Sequence, residues 1–372
     1  MKICIDARNI RKSPSGLSRY AQHIVCGLAA IDKKNEYFIL RDKRFQKRIV
    51  DNENFHDIYD ALKDTGSAQN ALFGSFVVNK LNVDVFHTLN QVVPFGLKAN
   101  KILSTVHDLM WLERPELSFD NKIMAKAANI LARTSFAYSY RRCTHVICIS
   151  KATETIFQNN YPELAHKTSV ISHHDIFFMD PKTNPKFDLE QLNQELPTQY
   201  ILSLGNTKPY KNVDGIIKAF SKIESKYPDV KVVVAGRLDR RKALMDLTES
   251  LNISDRVYFL KQQISEHDLK LLIKNATMMA FPSFYEGYGI PILEAISLGC
   301  PVLGSTVDVV KETSGGTAAY VDPHNHGEMA AMMEKILLEP NFRKQLIDAG
   351  YEYMDRVKNY DSVKLTYDLY NS

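Results

Sequence analysis

The stretch Phe284-Tyr285-Glu286-Gly287-Tyr288-Gly289-Ile290-Pro291-Ile292-Leu293-Glu294-Ala295 decides how this chain is read. Just before it, Met278 to Phe281 is a short apolar run with the length of a buried strand, ended by Pro282 and Ser283. Pro291 suits the first turn of a helix and Gly299 its end. The segment therefore leads from a strand to a helix through a glycine-rich turn. Gly287 and Gly289 let backbone come close to a ligand, with Tyr288 and Ile290 beside them. The free N–H groups at the start of the helix favour anionic oxygens. Glu294 lies one turn in. Taken alone, it reads as a carboxylate favourably placed by the helix dipole; it can equally accept two hydrogen bonds from a vicinal diol such as a ribose.

Outward from this turn, short apolar runs alternate with amphipathic stretches, the pattern of βα units and parallel sheets. Strands are expected at Lys2 to Asp6, Glu36 to Leu40, Asp84 to His87, Lys101 to Val106 and His145 to Ile149, with helices at Leu17 to Ala30 and Lys122 to Tyr140. A polar segment with Pro181, Pro185 and Pro197 reads as a linker, after which the alternation restarts. Further strands are expected at Tyr200 to Leu204, Lys231 to Ala235, Arg256 to Leu260, Pro301 to Gly304 and Ala319 to Val321. Ser265 and Asp268 suggest a helix start, and two helical stretches close the chain. The expected fold is α/β, with two doubly wound Rossmann-like domains. The first spans residues 1–178, a linker 179–198 and the second 199–356; a last helix, 357–372, is expected to pack back toward the first domain. In such sheets ligands bind beyond the carboxyl ends of the strands, so two such edges are expected to face a central cleft. The stretch from Asp51 to Lys80 gives no usable pattern.

Composition narrows the class. With 45% apolar and 24% charged residues the chain has the balance of a folded globular protein. A formal charge of +4 gives no case for nucleic acid. No apolar run approaches the roughly 18 residues that span a bilayer, and the N-terminus reads as a strand, so a cytoplasmic protein is expected. Cys4, Cys26, Cys143, Cys148 and Cys300 form neither a disulfide frame nor a zinc pattern and read as buried thiols. No Asp-rich metal motif is present.

The pair Glu286 and Glu294, with seven residues between them inside Glu-Gly-Tyr-Gly-Ile-Pro, resembles the marker of the retaining group 1 glycosyltransferases of GT-B fold. The resemblance covers essentially the whole chain and is closest to bacterial mannosyltransferase-like enzymes of surface polysaccharide synthesis. Asp6-Ala7-Arg8 and Ser15-Gly16-Leu17-Ser18-Arg19-Tyr20 are similar to the family's first strand, glycine loop and first helix, placing Gly16 where backbone can approach phosphate or acceptor. Thr105-Val106-His107-Asp108-Leu109 matches the family's His-Asp segment, which implies that His107 contacts the donor sugar or places the acceptor, with Asp108 orienting the loop. His87 ends the preceding strand and is placed on the same edge; His173 and His174 are given no catalytic role. Ser150 and Lys151 start a helix, reaching the cleft or simply capping it.

Leu204 to Asn212 is the phosphate candidate of the second domain. Lys211 matches the family's lysine. Asn206 stands where the family has an arginine, and Tyr210 replaces another, so Lys208 and Arg237 are alternative cations for the β-phosphate. Gly304-Ser305-Thr306 falls where the family begins another donor-side loop. The resemblance implies retaining, metal-independent hexose transfer from a nucleotide sugar, GDP-mannose preferred and a UDP-sugar the alternative. The acceptor is a glycan or a lipid-linked glycan, as in O-antigen synthesis. No cofactor is expected, since the nucleotide sugar is a substrate. Catalysis would fall to His107, Glu286 and Lys211. Donor contacts would come from Gly16, Asn206, Lys208, Arg237, Gly287, Tyr288, Gly289, Ile290 and Glu294. Lys43, Arg44, Lys47 and Arg48 read as a solvated helix face; with Lys122, Lys126, Arg133, Arg141 and Arg142 the resemblance implies peripheral contact with an anionic membrane. A related epimerase or phosphorylase, or a non-catalytic nucleotide-sugar-binding subunit, is the alternative.

Overall fold

The computed structural model describes residues 1–10, 15–60, 68–119, 121–175, 196–260 and 266–372. The chain divides into two compact units: Met1–Ile176 with Tyr360–Ser372, and Phe177–Asn359. Most of the expected linker, residues 179–195, lies outside the described residues, as does Ser265.

The first unit is built on a parallel sheet. Among the described residues its strands are β1 (Lys2–Asp6), β2 (Glu36–Asp42), β3 (Phe55–Asp60), β4 (Val85–Thr88), β5 (Lys101–Val106), β6 (His145–Cys148) and β7 (Thr168–Val170), in the order β3-β2-β1-β4-β5-β6-β7. The order reverses between β1 and β4, the switch point beside which doubly wound sheets bind ligands. Alternation along each strand supplies a core on both faces: Ile3 and Ile5 pack on one side, Cys4 and Phe86 on the other. The helix Gly16–Ile31 forms because Ser15 caps it, its hydroxyl accepting from Ser18 N, and because Tyr20, Ile24, Val25 and Leu28 fall on one buried face. The last helix, Ser362–Asn371, lies in this unit. Tyr370 Oη bonds His87 Nδ1 at 2.7 Å, and Lys101 Nζ donates to Leu369 O at 3.0 Å.

The second unit repeats the plan. β8 (Gln199–Leu204), β9 (Val230–Ala235), β10 (Val257–Phe259), β11 (Met278–Phe281), β12 (Val302–Ser305) and β13 (Ala319–Val321) run parallel in the order β10-β9-β8-β11-β12-β13. The two units are thus Rossmann-like α/β sheets, as the alternation predicts.

Three local expectations are corrected. β3, Phe55-His56-Asp57-Ile58-Tyr59-Asp60, escapes the sequence because an edge strand carries polar residues on its open side, and β7 is a three-residue edge strand. The run Lys43 to Arg48 is not a helix face but the turn after β2; Arg44 folds back onto Asp42, and Arg48 donates to the carbonyls of Asn52 and Phe55. Three helices follow β13 rather than two, because Pro340 interrupts the pattern between His326–Leu338 and Pro340–Val357.

Candidate functional site

In the second unit, the loops leaving β8 and β11 meet at an ion pair. Lys211 Nζ lies 2.7 Å from Glu286 Oε1, with the two side chains 12% and 8% exposed. The ammonium also sits 4.5 Å from the Phe281 ring centroid and 5.3 Å from that of Tyr210. Pairing and burial hold both charges in one place beside the glycine turn. Phe284 N donates to Tyr210 O at 2.8 Å, and the Phe284 ring stacks on His324, centroids 4.6 Å apart.

Asn212, to which sequence reasoning gave no role, fastens this corner. Its backbone is left-handed, φ 56, a conformation asparagine tolerates better than most residues. Its buried side chain donates from Nδ2 to Pro282 O at 3.1 Å and to Pro323 O at 2.8 Å. One amide thereby ties the loops after β8, β11 and β13. The available signal was the position itself, an Asn immediately before an apolar helical run.

The helix Ile290–Ser297 begins at Gly289, whose φ of 98 belongs to the left-handed region, with Pro291 in its first turn. Glu294 lies within it and is 2% exposed. Tyr288 is buried, and its carbonyl accepts from Thr313 Oγ1; Gly287 and Ile290 are half-buried. Ser283 Oγ and Ser305 Oγ, at the ends of adjacent strands β11 and β12, are buried and have no hydrogen-bond partner in the structure. Buried hydroxyls are nearly always satisfied, so two such groups at one strand edge mark a place where polar ligand atoms are welcome.

The remaining candidates lie around the loop after β8. Asn206 Nδ2 donates to Tyr210 Oη at 2.7 Å and its Oδ1 accepts from Lys208 N at 3.1 Å, so Asn206 shapes this loop. Gly236 packs so closely that an added Cβ would stand 2.1 Å from Gly205 O. Arg237 is not brought to the Lys211–Glu286 pair by any contact in the structure: its side chain is 68% exposed and pairs with Asp239. Lys208 is half-buried. Among the described residues no group of three or more His, Cys, Asp or Glu side chains is placed to hold a metal ion.

The carboxyl edge of the first unit has different chemistry. His107 Nε2 contacts Leu89 O at 3.1 Å, and its ring meets the edge of Tyr20. Burial pushes His107 down to about 4. The His173 ring lies tilted by 36° against Tyr20, centroids 4.5 Å apart, so it belongs to this cluster although no local spacing marks it. His87 does not line the edge. It is fully buried, bonds Thr105 Oγ1 at 2.9 Å and is held down to about 3, chiefly by burial. Asp108 Oδ1 accepts from Met110 N, fixing the turn as expected of it. Ser150 caps the helix Lys151–Asn160, and Lys151 pairs with Glu154. Gly16 opens the helix after β1, one residue beyond its Ser15 cap.

Residues 186–353 match the family described as Glycosyl transferases group 1. The match lies within the second unit and takes in most of it. The match takes in Lys211, Glu286 and Glu294, and so the whole corner described above. The chain is 28% identical over 257 residues to the O-antigen chain mannosyltransferase RfbU of Salmonella typhimurium, covering 69% of this chain and 65% of that protein. It is 31% identical over 157 residues to the serotype-specific mannosyltransferase WbdA of Escherichia coli, covering 41% of this chain and 19% of that protein. The chain thus spans less than two thirds of either relative. Among solved structures, sucrose-phosphate synthase from Thermosynechococcus elongatus superposes with a TM-score of 0.75 at 18% identity, covering 100% of this chain and 98% of that one. WaaG, a glycosyltransferase involved in lipopolysaccharide biosynthesis, gives 0.74 at 18% identity and covers 99% of each chain. These likenesses show that the two units have the fold of the GT-B glycosyltransferases.

Proposed function

We propose that the protein transfers a hexose, with retention of anomeric configuration, from a nucleotide-diphosphate sugar to a glycan acceptor. The observation that carries this reading is the Lys211–Glu286 pair, fixed at 2.7 Å beside the glycine turn that opens the helix bearing Glu294. The family of the second unit supports it. Mannose from GDP-mannose is the preferred donor on the strength of the mannosyltransferase names of RfbU and WbdA. The O-antigen name of RfbU supports a polysaccharide acceptor, and a lipid-linked glycan is the form of it proposed for this chain.

In this reading the bond from the sugar's anomeric carbon to the β-phosphate oxygen breaks, and its electron pair leaves with the nucleotide diphosphate. An oxocarbenium-like centre forms. The acceptor hydroxyl attacks on the face the phosphate is leaving, and its proton passes to a departing phosphate oxygen, which balances the charge. Lys211 and the N–H groups from Gly287 to Ile290 offset the negative charge growing on the phosphate, the interaction that most needs to be in place beforehand. Glu286 orients Lys211 and receives sugar hydroxyls. Glu294 holds the ribose diol. Lys208 is the second cation, favoured over Arg237 because Arg237 is exposed and engaged by Asp239. The scheme uses no metal ion. In the first unit Gly16 and His107 serve the acceptor; His107, neutral across the physiological range, accepts or donates a hydrogen bond without contributing charge.

The test is sugar release and transfer from GDP-mannose and UDP-glucose by the native protein, Glu286→Ala and Lys211→Met. Each variant is expected to lose on the order of 10²–10³ in kcat, the scale of removing one preorganised electrostatic contact. Unchanged turnover in Glu286→Ala would sink the assignment, and a UDP-sugar preference would replace mannose as the donor.

A further inference from the structure

Both faces of a covered parallel sheet are ordinarily apolar, and one face of the first sheet departs from this. Successive side chains of a strand point to opposite faces, so His87 shares a face with Val85, and Thr105 with Leu103. Val85 and Leu103 pack there with Ile3, Ile5, Ile24 and Leu28, in the core to which the first helix contributes Tyr20 and the last helix Tyr370. His87 and Thr105 are fully buried in the same layer. Two apolar residues would serve stability as well, because the cost of burying polar groups is only offset by the hydrogen bonds they make. Their presence calls for a use beyond holding the fold.

The buried polar groups form one chain. Tyr370 Oη lies 2.7 Å from His87 Nδ1, His87 Nε2 2.9 Å from Thr105 Oγ1, and Thr105 Oγ1 3.0 Å from Tyr20 Oη. Burial holds His87 down to about 3, so its ring is neutral and donates from one nitrogen while accepting at the other. The chain starts from a fixed end. Lys101 Nζ donates to the carbonyls of Leu369 and Tyr370, at 3.0 and 3.2 Å, in the last turn of the helix. It finishes on a ring against which others rest. The Tyr20 and His107 rings meet at 76° with centroids 4.9 Å apart, and His173 lies on Tyr20 at 4.5 Å. With its hydroxyl anchored, Tyr20 sets the wall that gives the His107 ring its direction. His107 Nε2 is held by Leu89 O at 3.1 Å. A carbonyl only accepts, so the proton is on Nε2 and Nδ1 keeps its lone pair.

We infer that Tyr370, His87 and Thr105 are positioning residues: acting through the Tyr20 hydroxyl, they fix the His107 ring so that Nδ1 accepts a hydrogen bond from the acceptor glycan. The identity of the acceptor rests on the transferase reading; the fixing of the ring stands apart from it. The experiment compares Tyr370→Phe, Thr105→Val and Thr105→Ser in the full chain. Valine keeps the shape of threonine and loses the hydroxyl, whereas serine keeps the hydroxyl and loses a methyl. Proton–carbon NMR of histidine-labelled protein, with His107 assigned through His107→Gln, reads the ring. The His107 signals should move in Tyr370→Phe and Thr105→Val and keep their native positions in Thr105→Ser. Tyr370→Phe removes a single oxygen, three hydrogen bonds away from Tyr20, so its effect on His107 reports the chain rather than local packing. In transfer from GDP-mannose to methyl α-mannoside, KM for the methyl mannoside should rise about tenfold in Tyr370→Phe and Thr105→Val, the effect of a slightly misplaced contact. KM for GDP-mannose and the affinity for GDP should stay native in all three variants. Unmoved His107 signals in Tyr370→Phe, or a Thr105→Ser that departs further from native than Thr105→Val, would overturn the inference. A native protein that binds neither GDP nor UDP would count against the donor reading instead, with the His107 signals still deciding the inference.

Discussion

The carboxyl edges of the two sheets share one strand plan and hold opposite chemistry. In the second unit the edge is charged, with Lys211 and Glu286 in contact and Glu294 one turn into the helix beyond the glycine turn. In the first it is a neutral set of rings, Tyr20, His107 and His173, above His87 and Thr105. A diphosphate leaving group needs fixed charge, whereas an attacking hydroxyl needs shape and hydrogen bonds. On the proposed reading, the same backbone arrangement divides labour by what stands at the strand ends.

The comparison breaks hardest at Asn212. Asn212→Ala deletes the bonds to Pro282 O and Pro323 O and leaves a left-handed backbone to a residue that disfavours it. A loss of about 2–3 kcal/mol is expected. It should be read by denaturant unfolding, with nucleotide binding weakened because three loops are released together. A variant with native stability would show that the corner holds without its amide.

Acidification should act on the other unit. His87 and His107 are held near 3 and 4 when folded, against about 6.5 when unfolded. Below pH 6.5 the unfolded chain therefore binds more protons. Stability falls as pH drops from about 6.5, by up to about 1.4 kcal/mol per pH unit for each histidine, and the loss levels off once the folded values are reached. Hydrogen exchange between pH 7.5 and 5 should show β1, β4 and β5 loosening before β8 and β11. His107→Gln should reduce the slope. Equal loosening of both sheets would remove the contrast.

The smallest effect is expected at Ser305. Its buried hydroxyl has no protein partner, so Ser305→Ala should leave stability within about 0.5 kcal/mol of native. Nucleotide affinity should fall by a few fold, by about the 1 kcal/mol of one hydrogen bond.

How far the sequence reads depends on burial. β1, β5 and β11 match their expected bounds, because interior strands of a parallel sheet are continuous apolar runs between punctuating residues. β3 and β7 were illegible because edge strands need not be apolar on both faces. At the candidate site, the glycine turn with its following helix announces Glu286 and Glu294 through local spacing. The tie of Asn212 to Pro282 and Pro323 spans 70 and 111 residues, and nothing local encodes it. Arg237 stands beside Lys208 as an alternative cation because residue type is visible in sequence and direction is not; the structure turns it outward onto Asp239. His173 was invisible for the same reason, since only the fold brings it to Tyr20.

The central claim is that the charged edge of the second unit binds the donor nucleotide, with Glu294 on its ribose. Isothermal titration of GDP and UDP into the native protein and Glu294→Gln tests it most directly. The account predicts that GDP binds more tightly than UDP and that Glu294→Gln weakens GDP by about tenfold or more, the loss of a charge-assisted diol contact. Equal GDP affinity in the native protein and Glu294→Gln would contradict it.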